Sequence, residues 1–314
     1  MKRREFLLAA GGVAAAAPIR IIDTHTHFYD PSRPLGVPWP PKNDPLLYRT
    51  VLPRHYQEFA RPLGVSGTIV VEASPWVEDN QWVLDLARDD PFLLGLVGHL
   101  EPGRPEFKSN LERFRRNRLF LGIRVGAAVL ARAVREPACA ADFERLGDAN
   151  LELDVLGPAS MFPDLVRFAD RFPNLRIVID HLPFDQPPIP ELGQRPKVYA
   201  KVSSVLRRIA GRTPVDVEFY REALDELWTL FGPDHVIYGS NWPVCEKVAP
   251  YAEVQKVVMA YFTAKGPEAA ERYFWKNALA AYRFDISGTA FRPWEKWGKS
   301  TPSPDSLPVE DLRA

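Results

Sequence analysis

Cysteine is scarce in this 314-residue chain, and its two examples, Cys139 and Cys245, lie far apart without the spacing of a thiolate zinc site or a dithiol redox motif. A disulfide between them is compatible with the sequence, but nothing requires one. Charge of one sign is equally lacking: 40 Lys plus Arg balance 40 Asp plus Glu, so no overall field draws the protein to nucleic acid or an anionic membrane surface. There is no basic helix, phosphate loop or nucleic-acid motif, and past the N-terminus no apolar run is long enough to span a bilayer. Any partner must therefore be argued from a local site.

Proline, by contrast, is abundant, with 31 residues clustered in connections where a fixed φ narrows the loop conformations. A hydrophobic content of 46% is enough to bury one barrel-sized core or two smaller ones. Met1 to Pro18 reads as an export signal: Arg3-Arg4 precede Phe6-Leu7-Leu8 and an alanine-rich run that ends in small residues at Ala14 to Ala17. The arginine pair resembles a twin-arginine signal, which predicts an exported, periplasmic protein with no membrane attachment once the signal is removed. The expected division is a signal at 1–18, one domain at 19–285 and a tail at 286–314 that wraps the domain through Trp294 and Trp297.

The stretch Ile19 to Phe28 organises the rest. Its β-branched run ends in His25 and His27, and side chains two apart on a strand leave the same face. Inside a barrel, two such imidazoles form half of a divalent-metal site or a base cluster; on a solvent face they are inert. Further apolar strands are predicted at 67–72, 93–99, 120–124, 151–156, 175–181, 197–202 and 235–241. Helical patterns separate them near 79–88, 105–117, 140–148, 161–171 and 217–230, with two more at 252–263 and 267–281. Strands that alternate with helices imply a parallel sheet, and eight repeats over roughly 260 residues predict an α/β fold of the (β/α)8 TIM-barrel type. A doubly wound open sheet is the competing architecture. The polar strand ends favour the barrel: Glu72, His99, Arg124, His181 and Asn241 all fall where strands finish, and barrel sites are assembled there from several strands. The long connection 30–53 would then cover the mouth as a lid or substrate wall carrying Trp39.

Asp23-Thr24-His25-Thr26-His27, Asp180-His181-Leu182-Pro183 and Gly239-Ser240-Asn241-Trp242-Pro243 together resemble the amidohydrolase superfamily. The resemblance runs from about Ile19 to Phe284 and points to the amidohydrolase-related branch, which includes sugar-lactone and 2-pyrone-4,6-dicarboxylate lactonases. It implies a hydrolase that opens a small lactone or a related ester-like bond, with a lactone or carboxylate-bearing substrate. His25, His27 and His181 become ligands of one divalent metal, zinc or manganese, or groups that polarise the substrate without one. The family commonly has aspartate at position 241, where it activates water; asparagine cannot take that proton. At strand four, binuclear members use a lysine, whereas Arg124 offers no lone pair to a metal, so no two-metal site is expected.

Arg124 suits a substrate carboxylate or a developing oxyanion. Candidate replacement bases are Glu72, Asp154 inside strand five and Lys201 within strand seven; Glu72 is otherwise an ion-pair partner of Arg124. His99 either binds substrate or is a structural histidine, and Lys201 is an inward cation that could contact substrate. Trp242 is expected to line the mouth. Asp23 is expected to orient strand one from behind the histidines, and Asp180, alternating away from His181, to be structural. His55 and His235 have no motif partners and are taken as structural. Two other readings stay open: a metal-dependent decarboxylase of the same superfamily, and a non-catalytic barrel that binds a small molecule.

Overall fold

The computed structural model describes residues 19–183 and 188–287; the predicted export signal and nearly all of the predicted tail lie outside these residues. Eight parallel strands follow one another in chain order: β1 (Ile21–Thr26), β2 (Val65–Val71), β3 (Leu93–Gly98), β4 (Phe120–Gly126), β5 (Glu152–Leu156), β6 (Arg176–Leu182), β7 (Val198–Val202) and β8 (Val236–Tyr238). Their side chains are buried on both faces because helices shield the outside and the neighbouring strands fill the inside, the usual environment of a parallel sheet. The predicted TIM barrel is therefore the observed fold.

Closure between β8 and β1 relies on side chains as much as on the ladder. Thr24 Oγ1 donates to Tyr238 O at 2.6 Å, Ser240 N–H to Asp23 Oδ1 at 2.8 Å, and His27 N–H to Trp242 O at 2.9 Å. Inside the barrel, Ile22, Ile69, Val97, Leu121, Val178 and Ile237 pack as one cluster, against which the helix Asn277–Tyr282 sets Ala278, Ala281 and Tyr282. Outside, amphipathic helices turn one stripe inward. The helix Phe162–Arg171 buries Phe162, Leu165, Phe168 and Ala169, and Phe168 meets Phe143 edge to face at 4.8 Å.

Three helices escape the sequence reading: Pro53–Ala60, Ala127–Arg135 and Pro190–Gly193. The first begins at Pro53, where a missing N–H costs nothing, and His55 Nδ1 accepts the Leu52 N–H at 3.2 Å. Cys139 and Cys245 are buried and unbridged. Among the described residues no helix is long and apolar enough to cross a membrane.

Candidate active site

Plain alternation along β1 would put His25 and His27 on the wrong face. Ile22 packs inside the barrel, so an unbroken strand would send Thr24 and Thr26 inward instead. The register corrects this. Asp23 lies opposite Thr68 and Thr26 opposite Val70, three residues against two, and the extra residue of this bulge reverses the facing. Gly239 leaves the room that His25 needs, since a Cβ there would lie 2.8 Å from the His25 Cβ. Strand β6 uses the same device: Ile179 lies opposite Ala200 and Leu182 opposite Val202, with His181 at φ 65° absorbing the extra residue. Asp180 thus follows Val178 into the barrel while His181 is turned to join it. This corrects the expectation that Asp180 alternates away and is merely structural.

The three histidines meet. His25 lies 4.9 Å from His27 and 4.5 Å from His181, centroid to centroid. Asp180 Oδ1 is 3.4 Å from His25 Nδ1 and 2.9 Å from Lys201 Nζ, and its Oδ2 is 3.7 Å from Arg124 Nη1. Burial holds all three imidazoles neutral: His25 well below its ordinary value, His27 down to about 3 and His181 down to about 4, with nearby cations adding to the effect. Burial alone would push the Asp180 carboxyl up. The Lys201 ammonium, 2.9 Å away, leads the groups that outweigh it and hold the carboxyl well below the usual carboxylate range, so it is a buried anion.

The residues fit a metal. One ligand atom each from His25, Asp180 and His181 falls within 4.8 Å of the others, and both His25 ring nitrogens are buried without a hydrogen bond. Two neutral imidazoles and a carboxylate are a donor set that suits a borderline divalent ion. His181 is held by Ser203 Oγ, 3.0 Å from Nδ1. His27 gives its Nδ1–H to Val71 O at 2.9 Å, which leaves Nε2 as a lone pair facing the Asn241 side chain at 3.3 Å. Two acceptors would repel, so chemical compatibility turns the Asn241 amide to present its NH2 to that nitrogen.

Around this centre the other predicted residues take different stations. Arg124 donates Nε to Glu72 Oε1 at 2.9 Å and Nη2 to Glu72 O at 2.8 Å, so the pairing with Glu72 is present and two donor positions are engaged. His99 faces a cavity shared with Glu72 and Arg124, its backbone clamped by both atoms of the Asn80 amide at 2.8 Å. Trp39 leans its ring edge over His27 at 5.7 Å, which puts the proline-rich connection at the mouth. Lys201 is wholly buried, with Nζ 2.5 Å from Asp154 Oδ2 on its far side, so it meets Asp180 and no open surface. The Trp242 ring points outward into an aromatic layer with Tyr56 and Phe59, at 5.1 and 5.5 Å, rather than lining the mouth. Asp23 does orient the strand: its carboxylate accepts the His25 N–H at 3.1 Å, the Ser240 N–H at 2.8 Å and the Tyr56 hydroxyl at 2.6 Å. His55 caps a helix and His235 bonds Phe231 O at 3.2 Å, both structural roles. Asp180 was the member missed, because no local pattern announces a bulge.

The protein is 30% identical to an L-fucono-1,5-lactonase of Burkholderia ambifaria over 284 aligned residues, covering 84% of this chain and 96% of that one. An amidohydrolase from Burkholderia multivorans, solved with bound zinc, superposes with a TM-score of 0.74 at 23% identity, over 84% of this chain and 99% of that one. A Pseudomonas putida protein described as a putative 2-pyrone-4,6-dicarboxylic acid hydrolase does so at 0.66 and 21%, over 85% and 98%. Residues 22–284 match the amidohydrolase family from the first strand to the last helix, and the chain, a hydrolase, belongs to that family.

Proposed function

We propose that this enzyme opens a small lactone, adding water across the ring ester. The observation that carries the reading is His25, whose two ring nitrogens are buried without hydrogen bonds beside Asp180 and His181 at the barrel mouth. The similarity to a curated lactonase supplies the bond type. One divalent ion, zinc or manganese, is the proposed cofactor; His25, Asp180 and His181 would hold it. Bound there, it would polarise the ester carbonyl.

The protein's own groups do the rest. Glu72 keeps Oε1 on Arg124, and its Oε2 takes a proton from the attacking water as the new carbon–oxygen bond forms. The ring carbon–oxygen bond breaks, and the same proton returns to the leaving alkoxide, so the product is a hydroxy acid. Arg124 orients Glu72 through Nε and Nη2. The Asn241 amide, bonded to His27 Nε2, holds that imidazole neutral and in place. Trp39 roofs the site and excludes bulk water. We also propose that the protein is exported, a reading that rests on Arg3-Arg4 and the alanine-rich run after them.

The test is lactone hydrolysis by the metal-loaded full chain, followed by proton release, beside Glu72→Gln. The expected loss in kcat is about 10²–10⁴-fold with metal content unchanged. Full activity in the variant removes Glu72 as base, and a metal-loaded parent that opens no lactone overturns the reaction.

A further inference from the structure

Beside the histidine cluster, the ends of β2, β3 and β4 enclose a cavity of about 130 Å³, enough for several water-sized groups. None of the metal-binding set lines it, but Arg124, which does, reaches Asp180 of that set at 3.7 Å. Its walls are of two kinds. One is polar: His99, Glu101, Glu72 and Arg124. The other is apolar, formed by Leu100, Val125, Val129 and Leu156, with Leu156 left 37% exposed at the rim.

The charges on the polar wall are already matched. Glu72 is paired with Arg124 at 2.9 Å, and Glu101 with Arg104 at 2.9 Å and Arg132 at 3.8 Å. Arg124 Nη1 faces Asp180. No cation on this wall is left over to neutralise an incoming carboxylate, which would be desolvated without a partner. The His99 ring, by contrast, makes no hydrogen bond among the described residues, while Asn80 holds its backbone from both sides at the wall of the cavity. Burial lowers its pKa, so it offers one donor and one acceptor nitrogen near neutral pH. Such a ring suits a hydroxyl, which also donates once and accepts.

We propose that this cavity is a specificity subsite for an uncharged hydroxyalkyl branch of the substrate, its hydroxyl on His99 and its carbon against Val129 and Leu156. The inference rests on the lactone reading and deepens it, selecting branched neutral lactones over carboxylated ones.

The experiment compares γ-butyrolactone with its γ-hydroxymethyl and γ-carboxy derivatives on the metal-loaded full chain. Binding of pyrrolidinone, its hydroxymethyl derivative and pyroglutamate, the matching lactams, is measured in parallel by ligand-observed NMR. The hydroxymethyl lactone is expected to exceed the parent ring in kcat/KM by about 10-fold and the carboxy compound by about 100-fold, with the lactams bound in the same order. Val129→Phe, and independently Leu156→Phe at its exposed rim position, should bring the first ratio to about one by filling the apolar wall. Lactones opened without this preference, or a preference that survives both substitutions, overturn the subsite and leave lactone opening standing. Lactams bound in the expected order by an enzyme that opens none of the lactones support the subsite and overturn the reaction. A preference for the carboxylated compounds overturns the charge argument and the subsite with it.

Discussion

Asp154 lies in the barrel interior with no exposed surface, accepting hydrogen bonds from Lys201 Nζ at 2.5 Å and Tyr282 Oη at 2.9 Å. Burial, and then the Asp180 charge, push its carboxyl up from 3.8 to about 7 despite Lys201. The native state therefore holds a proton on Asp154 that the unfolded chain has already released. Stability from this group is complete below the unfolded value and is lost as pH rises through about 7. Between pH 5 and about 7 the native state keeps a proton that the unfolded chain has lost, so two pH units at about 1.4 kcal/mol each remove roughly 3 kcal/mol, and from there to pH 9 the loss is level. Asp154→Asn mimics the protonated side chain and has no such slope. It should exceed the parent in stability by about 1–2 kcal/mol at pH 5 and by about 4–5 kcal/mol at pH 9, a widening of roughly 3 kcal/mol. In thermal unfolding, that is a relative gain of roughly 6–12 °C. Urea titrations at the two pH values supply the free energies directly. Parallel behaviour of the two proteins across this range, within about 1 kcal/mol, would refute the claim that burial dominates Asp154.

Elemental analysis of the purified chain should find about one equivalent of zinc or manganese, and His25→Ala should bring it close to none, since that ring contributes the unpartnered nitrogens; undiminished metal in the variant would place the ion elsewhere. Because His27 titrates at about 3 and His181 at about 4, hydrolysis and metal retention should persist down to about pH 5. An inflection near pH 6.5 would mean that these rings ionise as exposed histidines do. Asp23→Ala should cost roughly 2–5 kcal/mol, because it strands the His25 and Ser240 N–H groups in the core and leaves the Tyr56 hydroxyl only its longer bond to Tyr251 at 3.1 Å. A melting temperature unchanged from the parent would show that water or a rearranged Tyr56 replaces the carboxylate.

Much of the architecture was legible because it is local. Buried strands such as Leu93–Gly98 read as short apolar runs, and helices such as Phe162–Arg171 carry an apolar stripe at helical spacing. The helix Ala127–Arg135 follows β4 directly at Gly126, with no polar cap in between, so its start carries no sequence signal. The polar strand ends were legible for the same reason: Glu72, His99, Arg124 and His181 punctuate apolar runs. Their assignments to partners were not. The Arg124–Glu72 pairing spans 52 positions, and nothing in either neighbourhood distinguishes a substrate-binding arginine from one already engaged.

By itself, then, the sequence determined the eight repeats, the barrel and the positions at which chemistry could reside, since hydrophobic periodicity and strand length are properties of short segments. The tertiary structure alone decided which way those residues face. The face of a strand depends on its register with its neighbours, and one extra residue inverts it. Bulges between Asp23 and Thr26 and between Ile179 and Leu182 turn His25, His27 and His181 inward and make Asp180 their neighbour. Burial then sets the protonation states, because only a closed barrel removes these groups from water and lets Lys201 hold Asp180 as an anion.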